Sequence, residues 1–119
     1  MNVEELRQLC IRKKGVTEEF PFDESTLVFK VMGKMFALVA LERLPPQCNL
    51  KCDPEKAIEL REAYDGEIIP GYHMSKKHWN TLMLESLPPE LIQELLDHSY
   101  DLVVSGLTKK LQNELAALP

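Results

Sequence analysis

One segment constrains this chain more than any other: Met35-Phe36-Ala37-Leu38-Val39-Ala40-Leu41, seven apolar residues in a row. Successive side chains of a strand point to opposite faces, and a strand that is apolar on both faces is expected to be a central one. Upstream, Leu27, Phe29 and Val31 alternate with Val28, Lys30 and Met32, and Gly33-Lys34 offers a turn. Together these residues predict a β-hairpin over Thr26 to Leu41 whose second arm is a central strand. The chain must therefore build a sheet around this hairpin.

Helix signals flank it. Asn2 is placed to cap a helix from Val3 to Lys14, with Glu5 three residues on, Arg12-Lys13-Lys14 at its negative end and Gly15 to stop it. Thr17 to Asp23 reads as a loop. After the Pro45-Pro46 break, Cys48 to Cys52 suits a short third strand. Asp53-Pro54 opens a second helix, and Gly66 lies just past its end. Ile68 to Tyr72 precedes a polar turn, Met74-Ser75-Lys76-Lys77. The segment His78 to Leu84 then reads as a strand with Trp79, Thr81 and Met83 on one side and Asn80, Leu82 and Leu84 on the other. Pro88-Pro89 starts the longest helix, to about Ser105, and Thr108 caps a last one bearing Leu111, Leu115 and Leu118. The order α-β-β-(β)-α-β-β-α-α predicts an α+β fold over residues 1–119. It is a single domain with a mainly antiparallel sheet and helices packed against it.

No apolar run approaches the roughly 18 residues of a membrane span, and the acidic start Met1-Asn2-Val3-Glu4-Glu5-Leu6 lacks a signal peptide's apolar stretch. Three cysteines, Cys10, Cys48 and Cys52, suit free thiols in a reducing compartment. The expected location is cytoplasmic. The net charge of −5 argues against a strongly basic nucleic-acid binder, yet it is unevenly spread. Residues 25–52 carry Lys30, Lys34, Arg43 and Lys51 against the single acid Glu42.

The stretch Pro70-Gly71-Tyr72-His73-Met74-Ser75-Lys76-Lys77-His78-Trp79-Asn80-Thr81 closely resembles the signature of the MmcQ/YjbR-like family of small bacterial proteins. Similar pieces flank it: Phe20-Pro21-Phe22, Phe29-Lys30-Val31, Gly33-Lys34-Met35-Phe36-Ala37, Asn49-Leu50-Lys51-Cys52 and Ser99-Tyr100-Asp101-Leu102-Val103-Val104. The resemblance covers nearly the whole chain, in order. It implies a sheet flanked by helices, similar to frataxin-like and secretion-chaperone-like folds. It also implies a DNA-binding role through two β-hairpin wings.

The residues themselves offer four kinds of site. For nucleic acid, the first hairpin brings Lys30 and Lys34, with Lys51 beyond it, and the second turn brings Tyr72, His73, Lys76, Lys77, His78, Trp79 and Asn80. Lysines at turns neutralise phosphates, Asn80 is a candidate adenine reader, and Tyr72 or Trp79 is a candidate base stacker. The competing reading makes these lysines solvated turn residues and Trp79 a core aromatic. For a metal, Cys48 and Cys52 stand four apart and His73 and His78 five apart, which is no zinc spacing. Extended, Cys48 to Cys52 spans about 13 Å, too far for one ion, so buried thiols are the expectation. For catalysis, His73, His78, Cys52, Asp53 and Tyr72 are available, but no phosphate loop, nucleophile elbow or dinucleotide fingerprint accompanies them. His98 reads as a helix-surface or core-edge histidine. For a protein partner, the last helix from Thr108 to Leu118 is the candidate, its own core being the simpler destination.

The expectation is a non-catalytic DNA-binding protein without cofactor or metal, binding weakly and in a salt-dependent way through two lysine-bearing hairpins. A protein–protein adaptor is the alternative.

Overall fold

The computed structural model describes residues 1–71 and 74–119. Tyr72 and His73, both candidate nucleic-acid contacts, lie outside the described residues. Among the described residues four helices and six strands follow in the order α1 (Val3–Ile11), β1 (Val16–Glu19), β2 (Thr26–Val31), β3 (Lys34–Ala40), β4 (Gln47–Lys51), α2 (Pro54–Ala63), β5 (Ile68–Pro70), β6 (Trp79–Met83), α3 (Pro89–Ser105) and α4 (Lys109–Ala117). The strands form one antiparallel sheet, ordered β1-β2-β3-β4-β6-β5. The apolar run does become an interior strand, and Phe36, Ala37, Leu38 and Val39 are all buried.

The caps anticipated from sequence are made. Asn2 Oδ1 accepts from the Glu5 amide at 2.8 Å, Asp53 Oδ2 from the Lys56 amide at 3.2 Å and Thr108 Oγ1 from the Leu111 amide at 3.2 Å. Two details differ from expectation. The first helix ends at Ile11 rather than Lys14, because Gly15 (φ +74°) turns the chain into the sheet, where its carbonyl accepts from the Met32 amide. The hairpin turn is Met32-Gly33 rather than Gly33-Lys34, with φ of 49° and 85°. Two consecutive positive φ values match the twist of the flanking strands.

A further difference is β1, which the sequence presents as loop. It is a four-residue edge strand carrying two glutamates, with no apolar alternation to betray it. Charge on an edge strand discourages pairing with other chains. Here α1 anchors it: Arg7 donates to both carboxylate oxygens of Glu18, at 2.7 and 2.8 Å.

All four helices lie on one face of the sheet. Their buried residues, among them Leu6, Cys10, Ile92, Leu96 and Leu115, pack against Phe29, Phe36, Leu50, Ile68 and Leu82. Phe36 meets Tyr100 edge-on at 5.5 Å. Near Phe29/Lys30 the register between β2 and β3 shifts, and β3 pairs with β4 only at Ala37–Leu50 and Leu38–Asn49. Beyond that point Ser99 of α3 completes the connection. Its hydroxyl donates to the Phe36 carbonyl at 2.6 Å and accepts from the Lys51 amide at 2.9 Å. Among the described residues the opposite face carries no helix. Its smaller apolar cluster consists of Val28, Leu38 and Trp79, with Met35 and Met74 against it.

Candidate functional site

Strand direction decides where the charges go. The Met32-Gly33 turn, the end of β4 at Lys51 and the start of β6 at Trp79 all lie at one end of the sheet. Lys34 stands at that end, Lys51 on its helix-free face, and Lys76, Lys77 and His78 in the exposed turn leading into Trp79. Arg12, Lys13 and Lys14, which follow the end of α1, reach the same end, since Gly15 leads directly into β1. Glu24, Glu42 and Glu85 sit in connections at the other end, together with Asp23 and Glu67. Asp53 and Glu55 interrupt the basic end, and Arg43 the acidic one.

The predicted contact residues do not share one environment. Lys30 lies within β2 rather than at the hairpin tip, and its ammonium meets Glu19 of β1 at 3.4 Å. The single-acid count for this region therefore missed a carboxylate that the edge strand supplies. Lys13 pairs with Asp97 and lies over the Tyr100 ring, 5.1 Å from its centroid. Lys14 donates to the Ala116 carbonyl at 3.1 Å.

Asn80 requires a correction. It is 1% exposed, on the helix-covered face beneath α2. Its Oδ1 accepts from Arg61 Nε at 2.7 Å and its Nδ2 donates to the Ala57 carbonyl at 3.4 Å. An amide committed in this way has no edge left for an adenine. The alternation with Leu82 and Leu84 was the sequence signal for this position. Arg61 also reaches the carbonyls of Lys76 and Trp79, so Asn80 and Arg61 fasten the second turn to α2. Trp79 is 8% exposed and belongs to the helix-free apolar cluster, the core role that competed with base stacking.

The cysteines are buried free thiols. Burial pushes the Cys10 pKa up to about 12 and raises those of Cys48 and Cys52 as well, against the thiolate that nucleophilic or metal chemistry needs. Among the described residues no group of three potential metal ligands comes together. No helix of the described residues is long and apolar enough to cross a membrane. His98 is placed at a seam. Its Nε2 accepts from the Asp53 amide at 3.2 Å, and burial, then Lys56, lowers its pKa.

A cleft of about 350 Å³ on the helix-free face has no counterpart among the sequence-predicted sites. Its floor is a cross-strand row in which Leu38 is registered with Asn49, Asn49 with Thr81 and Thr81 with Ile69. Phe22 and Met74 stand beside it and Arg43 lines it. The floor residues come from separate strands that the register joins, and Phe22, Arg43 and Met74 come from connections.

The same architecture occurs in known proteins. The crystal structure of Deinococcus radiodurans protein DR2400, assigned to domain DUF419, superposes with a TM-score of 0.91 at 45% identity, covering 99% of this chain and 89% of that one. A Pseudomonas syringae protein superposes with a TM-score of 0.73 at 26% identity, over 86% of this chain and 98% of its own. The uncharacterized protein YjbR of Escherichia coli K12 is 34% identical over 119 residues, covering 99% of this chain and all of YjbR. Escherichia coli O157:H7 YbdF is 37% identical over 113 residues, 94% of this chain and 92% of its own. The YjbR family model matches residues 11–102, from the end of α1 through most of α3. With the sheet, the helices and the intervening sequence all in agreement, the chain belongs to the YjbR family.

Proposed function

We propose that the protein is a non-catalytic DNA binder that holds the phosphate backbone with the basic end of its sheet. The supporting observation is the separation of charge along the strand direction, with Lys34, Lys51 and Lys77 at one end and Glu24, Glu42 and Glu85 at the other. Screening confines exposed charges to about 8 Å at physiological salt, so the acidic end does not cancel a local basic surface. With Asn80 buried, phosphate contacts supply the affinity and sequence preference is slight. About four neutralised phosphates give log affinity a slope near −3.6 against log salt, an approximately 150-fold loss from 50 to 200 mM.

Fluorescence anisotropy with a labelled duplex at several salt concentrations tests this. The Lys34→Ala/Lys77→Ala double variant flattens the slope by about 1.8. Affinity indifferent to salt, or an unchanged slope in the double variant, removes the reading.

A second reading, a protein–protein adaptor, rests on exposed apolar side chains at the acidic end: Phe20 at 51%, Leu41 at 41% and Leu44 at 83%. Such clustering is a feature of interaction surfaces. A stoichiometric partner released by Phe20→Ser and Leu44→Ser supports it. Retention of that partner by both variants counts against it.

A further inference from the structure

The cleft on the helix-free face is built from donors that folding leaves unused. The Thr81 hydroxyl is hydrogen-bonded to Asn49 Oδ1, which fixes the Asn49 amide and turns its Nδ2 hydrogens away from Thr81. Among the described residues that amide nitrogen has no acceptor, and the Arg43 guanidinium has neither carboxylate nor carbonyl partner. Among the described residues of the lining, the one carboxylate is already occupied. Asp23 accepts from the amides of Ser25 at 2.9 Å and Thr26 at 2.7 Å and from both hydroxyls, and these bonds lower its pKa. Its four donors come from its own turn, and Arg43 supplies the positive charge on the described lining. Beside Thr26 and Gln47, the rest of the described lining is apolar, with Leu38 and Ile69 at the two ends of the floor row and Phe22 and Met74 above.

Asparagine is depleted in strands, whereas threonine is favoured there. Asn49 and Thr81 occupy the middle of the sheet on two interior strands, between Leu38 and Ile69. Folding alone gains little from an asparagine there. A planar anion with an apolar body uses it together with Arg43: the guanidinium fork matches a carboxylate bidentately, the amide adds a donor, and the body lies on Leu38 and Ile69. The volume is at the small end of ligand cavities, which run from roughly 300 to 1,000 Å³.

We propose that this cleft is a binding site for a small organic carboxylate with an apolar body, held by Arg43 and Asn49. The site is separate from the basic end, so it stands or falls independently of DNA binding.

The test is a nitrogen–proton NMR titration of the full chain with phenylacetate, phenylacetamide and inorganic phosphate. Phenylacetate is expected to shift the Asn49 side-chain amide saturably. Phenylacetamide binds at least tenfold more weakly, and inorganic phosphate gives no saturable shift at Asn49. Arg43→Gln, a change at an exposed residue, weakens phenylacetate at least tenfold. Ala40→Leu narrows the cleft from an exposed position and abolishes the shift, whereas Lys34→Ala/Lys77→Ala leaves it intact. The proposal is overturned if phenylacetate gives no saturable shift at Asn49, or binds no more tightly than the neutral amide. It is equally overturned if inorganic phosphate binds as well, or if binding survives both cleft variants.

Discussion

The two faces of this sheet are made of the same strands, yet they treat their polar residues differently. Beneath the helices, Phe36, Leu50, Leu82, Ile92 and Leu96 form a closed apolar interior. Its buried polar groups are satisfied inside it: Ser99 bridges β3 and β4, and Asn80 is held by Arg61 and the Ala57 carbonyl. On the helix-free face the apolar cluster stops at Val28, Leu38 and Trp79, and the same rows continue into Asn49 and Thr81 beside a cleft. The contrast separates two meanings of a polar residue within a sheet. Asn80 and Ser99 use both donor and acceptor within the fold and hold it together. Asn49 is tied to another side chain and keeps a free donor beside an opening.

Truncation on each face measures this difference. Phe36→Ala, at a position fully enclosed beneath α3, is expected to cost about 3–5 kcal/mol in urea unfolding. Leu38→Ala, beside the cleft, is expected near the lower end for such changes, about 2 kcal/mol, because water reaches the space it vacates. Equal costs would mean that the helix-free face is packed as tightly as the covered one.

Removing hydroxyls sharpens the contrast. Ser99→Ala leaves the Phe36 carbonyl and the Lys51 amide without their partner, at an expected cost of about 2–4 kcal/mol. Thr81→Val removes a bond whose acceptor, on half-buried Asn49, can turn to solvent, and should cost no more than about 1 kcal/mol. A larger loss at Thr81 than at Ser99 would reverse the assignment of roles.

The smallest effect concerns the covered side alone. His98 accepts from the Asp53 amide only when neutral, and burial together with Lys56 holds its folded pKa below the ordinary value, against the opposing pull of Asp53, Asp101 and Glu94. The neutral form is therefore the one the fold favours. Its contribution is complete above the unfolded value of about 6.5 and is lost as pH falls through the folded one. Urea midpoints measured from pH 7.5 down to pH 5 should decline slightly in the wild type and more shallowly in His98→Asn. Parallel declines would show that this seam does not titrate.

Much of the covered face was legible because its signals are local. Asn2, Asp53 and Thr108 cap where short polar side chains precede helical patterns, and the alternation of β6 assigned both of its faces correctly. That alternation already placed Asn80 beside Leu82, and a base-reading role for it set aside its own side of the strand. The residues that misled are settled by partners distant in sequence. Lys30 reads as available until β1 supplies Glu19, and β1 was invisible because its Glu18 answers to α1 rather than to a local apolar pattern. The cleft was illegible for a related reason. Nothing near Arg43, Asn49 or Thr81 in the chain reports that register will bring them to one opening.

One face holds the closed core and the rest of the sheet is proposed to bind, a division that methyl shift mapping reads at once. As duplex DNA at low salt and then phenylacetate are added, Met35 is expected to shift with the first and Leu38 and Met74 with the second, while Leu50, Leu82 and Leu96 stay unmoved. Shifts concentrated at Leu50, Leu82 and Leu96, with Met35, Leu38 and Met74 silent, would contradict it.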